Sequence, residues 1–88
     1  MRVRLVIKGR VQGVFYRASS KKMADQLGLA GWVRNLPDEG VEAVLEGEED
    51  KITKMIDWCQ QGPPLAEVDR LTSYQEKEKG LKEFKIKY

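Results

Sequence analysis

Between Val3 and Lys8 the side chains alternate. Val3, Leu5 and Ile7 stand against Arg4, Val6 and Lys8, the period-2 signature of a half-buried strand. A glycine-bounded segment follows, Gly9-Arg10-Val11-Gln12-Gly13-Val14-Phe15. The period then lengthens: Tyr16, Ser20, Met23, Ala24 and Leu27 share one helical face, which ends at Gly28 in a left-handed cap position. Gly31-Trp32-Val33-Arg34-Asn35-Leu36 reads as a second strand and Pro37-Asp38-Glu39-Gly40 as a turn. Val41, Ala43 and Leu45 alternate in a third strand, so the two strands form a hairpin. From Glu48 to Gln61 a second amphipathic helix runs through Ile52, Ile56 and Cys59, with Met55 flanking the stripe, and Gly62-Pro63-Pro64 stops it. Ala66 to Tyr74 is a fourth strand whose imperfect alternation suggests a bulge. Phe84, Ile86 and Tyr88 alternate with lysines in a short terminal strand.

The predicted order is β-α-β-β-α-β plus a short terminal strand. At this chain length, helices that each bury one stripe must pack on the same face of one sheet to make a core. The expected architecture is therefore α+β, a ferredoxin-like split βαβ arrangement with an antiparallel sheet and two helices on one face. Residues 1–88 form a single domain on this reading, with no repeat, low-complexity stretch or internal linker.

Composition narrows the chemistry. The chain has no histidine and one cysteine, Cys59. A histidine triad, a histidine general base, an internal disulfide framework and a multi-cysteine zinc site are all excluded. No metal site and no cofactor are expected. Catalysis would fall to backbone amides, arginine, lysine, carboxylates, hydroxyls or side-chain amides. The net charge of +2 suits small anions and falls short of the strongly basic footprint of a nucleic-acid binder. No apolar run approaches the roughly 18 residues of a membrane span, and Met1-Arg2-Val3-Arg4-Leu5 leads into too short an apolar stretch for a signal peptide. A cytoplasmic protein, acting as a monomer without membrane or nucleic acid, is expected.

The stretch between the first strand and first helix is the most unusual. Gly9 and Gly13 bracket a turn leading into a helix that begins near Phe15. Amides at a helix start are unpaired and bind anions. Arg17 lies in that first turn, where the helix dipole disfavours a cation unless an anion sits between the two. Spacing alone favours a tight turn followed by a solvated arginine, since glycine-rich turns are common. The Gly-Lys-Ser/Thr ending of a Walker A loop is absent. Asn35 is the second candidate, since asparagine is unfavourable inside a strand, although it could simply begin the turn. Cys59, Ser19, Ser20, Trp32 and Trp58 read as structural residues, and Arg10 as a solvent-facing one.

At these two segments the sequence resembles the acylphosphatase family. Gly9-Arg10-Val11-Gln12-Gly13-Val14-Phe15-Tyr16-Arg17 is similar to its first signature, and Gly31-Trp32-Val33-Arg34-Asn35, followed by Val41 and Gly47, to its second. The family's second signature usually has glycine four residues after the asparagine; here that position is Glu39 and the glycine follows at Gly40. The resemblance spans essentially the whole chain and implies the same ferredoxin-like fold. It implies hydrolysis of a small-molecule acyl phosphate to a carboxylate and inorganic phosphate. Arg17 would bind the phosphoryl group with loop amides around Gln12, Gly13, Val14, Phe15 and Tyr16, and Asn35 would hold the attacking water. Competing readings are a phosphate- or RNA-binding module and an interaction domain. The lack of aromatics on the first and third strands argues against RNA, and a free-standing enzyme is the simpler expectation.

Overall fold

The alternation of the first segment becomes β1 (Arg2–Arg10), with Val3, Leu5 and Ile7 buried on one face. The structure, a computed structural model, describes residues 1–88. After β1 come α1 (Tyr16–Gln26), β2 (Ala30–Asn35), β3 (Val41–Glu46), α2 (Glu49–Gln61), β4 (Glu67–Glu76) and β5 (Phe84–Lys87). They build one five-stranded sheet in the order β4-β1-β3-β2-β5. β1 pairs antiparallel with β3 and β4, and β2 antiparallel with β3. α1 contributes Tyr16 and Ala24, and α2 contributes Ile52, Met55 and Cys59, to one core with Val3, Leu5, Ile7, Val33, Val41, Ala43 and Leu45. The helices therefore share a sheet face, as the ferredoxin-like reading requires. No helix is long and apolar enough to cross a membrane.

β5 departs from the antiparallel pattern and lies parallel to β2. Chain direction explains this. β4 ends opposite Arg2, at the end of the sheet where β2 begins, and residues 77–83 cross that end before pairing Phe84 with Gly31. The Glu46 carboxylate holds the crossing by accepting hydrogen bonds from the amides of Lys79, Gly80 and Leu81 at 3.0–3.2 Å. Arg2 completes the arrangement with a 2.5 Å contact to Glu46 and a 2.9 Å contact to Glu76. Burial on its own would raise the Glu46 pKa. The hydrogen bonds from Arg2, Lys79 and Leu81 and the charge of Arg2 outweigh it and hold the carboxyl below its ordinary value.

Local departures from simple alternation have local causes. Lys8 pairs with Arg70 but Gly9 with Val68, so Asp69 is extruded as a bulge in β4. Gly9 has φ +128°, and a Cβ there would lie 2.2 Å from the Glu67 carbonyl oxygen. In α2, Met55 is fully buried and Ile56 only partly. Positions 55 and 56 flank the line from Ile52 to Cys59, and the helix's rotation against the sheet turns Met55 inward.

The β2–β3 hairpin is closed by a 2.8 Å bond from the Leu36 N–H to the Gly40 carbonyl, around Pro37, Asp38 and Glu39. Glu39 has φ +73° and Gly40 is not left-handed. This matches a three-residue loop ending in a left-handed residue, so the position usually filled by glycine keeps its conformation while carrying a side chain. Glu39→Gly is predicted to stabilise the fold by about 0.5–1 kcal/mol by removing that strain. Thermal unfolding of the variant checks this: a Tm several degrees higher is expected at this chain length.

Candidate active site

The loop between β1 and α1 gathers unpaired backbone donors. Gly13 (φ +73°) and Phe15 (φ +67°) are left-handed, with the negative-φ Val14 between them. Alternating handedness turns successive amides toward one side and forms an anion-binding concavity, or nest. The amides of Gln12, Gly13, Val14 and Phe15 donate to no group of the protein, and the first helical bond runs from Ser19 N–H to Phe15 O at 3.0 Å. Tyr16, Arg17 and Ala18 therefore supply the free first-turn donors, at the positive end of the dipole. Phe15, the N-cap, makes no side-chain capping bond, and no acidic residue occupies the first turn.

Buried side chains hold the loop in shape. Val11 and Val14 are packed in the core. The Tyr16 ring is buried, its hydroxyl donates to the Cys59 carbonyl at 2.6 Å, and Trp58 packs against it with ring centroids 5.7 Å apart. Burial raises the Tyr16 pKa, so the hydroxyl stays a neutral donor. The fully buried Cys59 thiol is pushed up to about 12 by burial, partly offset by the Tyr16 hydrogen bond, which is the chemistry of an inert core residue and not of a nucleophile. Ser20 donates to the Tyr16 carbonyl at 2.7 Å and is buried, away from any base.

Arg17 emerges from the first turn of α1 toward the end of β5. Its Nη1 donates to the Lys87 carbonyl at 3.3 Å, and its guanidinium lies 4.8 Å from the centre of the Tyr88 ring. No carboxylate pairs with it. Asn35 is the last residue of β2, opposite Val41, and its side-chain amide has no partner within the protein. Arg17 and Asn35 line one cavity of about 270 Å³, together with Gly13, Phe15, Ile86 and Tyr88. Arg17 is its only charged side chain. Nowhere in the fold do three or more His, Cys, Asp or Glu side chains gather as a metal site.

Gln12 ties the halves of the site together. Its Nε2 donates to the Leu36 carbonyl at 2.7 Å and to the Gly40 carbonyl at 2.8 Å, both at the hairpin base beside Asn35. The strand ends that carry Asn35 and the anion loop meet through this strap. Sequence reasoning placed Gln12 in the loop but missed this contact, because its acceptors are main-chain carbonyls. Gln12→Ala is predicted to cost about 1–3 kcal/mol, since it removes two hydrogen bonds worth about 0.5–1.5 kcal/mol each and leaves the Gly40 carbonyl only the Leu36 N–H and the Leu36 carbonyl only the longer Glu39 N–H contact. It is also predicted to lower kcat by loosening Asn35 against the loop; chemical denaturation and steady-state kinetics check the two effects.

Of the residues singled out from sequence, Arg17, Asn35, Gly13, Phe15 and Tyr16 line the cavity. Val14 turns its side chain into the core and Gln12 turns onto the hairpin, so these two reach the site through main chain alone. Arg10 is exposed and forms no ion pair. Ile86 and Tyr88 were read only as alternating strand positions. The terminal strand's inward register carries Ile86 to the site, and the exposed Tyr88 follows directly after the strand; this long-range pairing has no local signal. Trp32 lies on the sheet face away from the helices, under Lys87 Nζ at 4.3 Å.

An anion cradle of loop amides, one unpaired arginine and one unpaired asparagine amide on the same cavity suits phosphoryl chemistry without histidine. A family model described as acylphosphatase matches residues 3–86. The chain belongs to the acylphosphatase family. Acylphosphatase from Gloeobacter violaceus is 46% identical over 86 residues, covering 98% of this chain and 92% of the relative. Acylphosphatase from Aeropyrum pernix is 51% identical over 90 residues, covering 100% and 89%. The crystal structure of acylphosphatase from Bacillus subtilis superposes with a TM-score of 0.95 at 33% identity, covering 99% of this chain and 98% of that one. The protein is thus an acylphosphatase enzyme with the ferredoxin-like fold of its family.

Proposed function

We propose that this acylphosphatase holds the phosphoryl group of its substrate in the amides of residues 12–17, with the Arg17 guanidinium as a planar fork on the phosphoryl oxygens, and that Asn35 positions the attacking water. The observation that carries the reading is the meeting of unpaired amides, Arg17 and Asn35 on one cavity. Every one of these groups comes from one chain, which supports action as a monomer on a small-molecule acyl phosphate.

The steps follow from the groups present. The oxygen of the Asn35-bound water attacks phosphorus. The phosphorus–oxygen bond to the acyl group breaks, and its electron pair leaves on the carboxylate. The proton from water passes to a phosphoryl oxygen, so the products are a carboxylate and dihydrogen phosphate. A carboxylate leaving group with a pKa of about 4 departs without protonation, so no general acid is required. The equatorial charge meets donors already in place, worth about 3–4 kcal/mol for each well-aimed group. Positioning of the water adds several kcal/mol when its geometry is held.

Hydrolysis of benzoyl phosphate in ¹⁸O-water with excess EDTA tests the proposal. Turnover that survives the chelator, with label in phosphate and none in benzoate, is expected. Label in benzoate would show attack at the carbonyl carbon and contradict the assignment to phosphorus.

A further inference from the structure

A second cavity, of about 450 Å³, opens on the sheet face turned away from the helices, where residues 77–83 cross toward β5. It shares no residue with the cavity of Arg17 and Asn35. Its wall is built by a sorting of charge. Residues 76–87 carry five lysines and three carboxylates, interleaved along the chain. Glu76 is drawn to Arg2 and Arg4, and Glu78 to the Met1 ammonium, so both are committed to the N-terminal strand. Glu83 pairs with Lys85 at 3.2 Å. Lys79, Lys82 and Lys87 form no ion pair, and all three line the cavity. Lysines on an edge strand deter pairing with other chains, which accounts for Lys85 and Lys87. Lys79 and Lys82 lie in the crossing and guard no edge. The apolar part of the lining is the half-buried Trp32 indole and the exposed Leu81.

We infer that this cavity binds a nucleoside polyphosphate, with the base against Trp32 and Leu81 and the phosphates among Lys79, Lys82 and Lys87. Three uncompensated cations around one opening favour a multiply charged anion over a singly charged one. An indole beside them favours an anion that also carries a flat ring. The Lys87 ammonium lies over that indole, 4.3 Å from the ring centre. A purine stacked in its place makes more contact than an exposed cation–π pair, and the displaced ammonium gains a phosphate. The volume falls within the range of small-ligand sites. Arg17 and Asn35 take no part in this cavity, so nucleotide binding here stands or falls independently of the proposed phosphoryl site.

Titration of the unaltered protein and of Arg17→Ala with ATP, tripolyphosphate and adenosine, followed by calorimetry and by amide chemical shifts, tests the site. ATP is expected to bind both proteins alike, at least about tenfold tighter than either tripolyphosphate or adenosine, because only ATP joins the ring to the charge. The shifts are expected at Gly31, Trp32 and residues 79–83. In the Lys79→Gln/Lys82→Gln double variant, whose exposed side chains make no bond that the fold needs, ATP affinity is expected to fall at least about fivefold. Trp32→Leu, confirmed folded by circular dichroism, is expected to lower ATP affinity about tenfold, toward that of tripolyphosphate. No binding of millimolar ATP, shifts confined to residues 12–17, or tripolyphosphate binding as tightly as ATP would each overturn the nucleotide site. Unchanged ATP affinity in the double lysine variant would overturn it as well.

Discussion

Replacing Arg17 with lysine is expected to lower kcat/KM for acyl phosphates by about a thousandfold, nearly as much as replacing it with alanine. Charge is retained in the lysine variant, so the loss isolates geometry. The guanidinium is planar, presents fixed donors, and is already oriented by the Lys87 carbonyl and the Tyr88 ring. An ammonium on a flexible stem reproduces neither the fork nor those contacts. The fold should hardly notice. Arg17 has no ion-pair partner and sits where the helix dipole repels a cation by about 0.3–1 kcal/mol. Thermal unfolding of Arg17→Ala is therefore predicted to match the parent within a few degrees while activity collapses. A large stability loss, or full activity in Arg17→Lys, would place the residue in the structure and not in the chemistry.

Asn35→Ala is expected to lower kcat by about a hundredfold to a thousandfold, with little effect on stability. The Asn35 backbone pairs opposite Val41 whatever its side chain, and the side-chain amide makes no bond within the protein, so nothing structural is lost with it. Asn35→Asp separates positioning from polarity. Aspartate keeps the shape and an acceptor, loses the amide donor, and brings a negative charge toward the phosphoryl group, so it is predicted to be no better than alanine. Steady-state kinetics on the pair checks this, and wild-type turnover in either variant would remove Asn35 from the mechanism.

Much of the fold, and two candidate residues of the cavity, were legible in the sequence. The period-2 run at Val3, Leu5 and Ile7, the helical face through Tyr16, Ser20 and Ala24, and the hairpin around Pro37 each reflect a local rule. They hold because all of them serve one core. Arg17 stood out because a cation in a first helical turn contradicts the dipole, and such local contradictions concentrate at functional positions. What sequence left open were relations between distant segments. The parallel seat of β5 follows from where residues 77–83 cross the sheet, held by the Glu46 carboxylate. The turn of Met55 inward in place of Ile56 depends on a helix rotation that periodicity does not specify. The strap from Gln12 and the support of Arg17 by Lys87 both end on main-chain carbonyls, which every residue possesses and no pattern marks. Glu39 hides a left-handed position because the usual glycine is absent there.

In the proposed mechanism Arg17 with the loop amides would bind the phosphoryl group, and Asn35 would act on the water. Competitive inhibition by inorganic phosphate, measured beside kcat for the parent, Arg17→Ala and Asn35→Ala, tests that division directly. The predicted result is a rise in the phosphate inhibition constant of about tenfold to a hundredfold in Arg17→Ala, and a change within about threefold in Asn35→Ala although its kcat has collapsed. Phosphate affinity unmoved by Arg17→Ala, or lost together with kcat in Asn35→Ala, would contradict it.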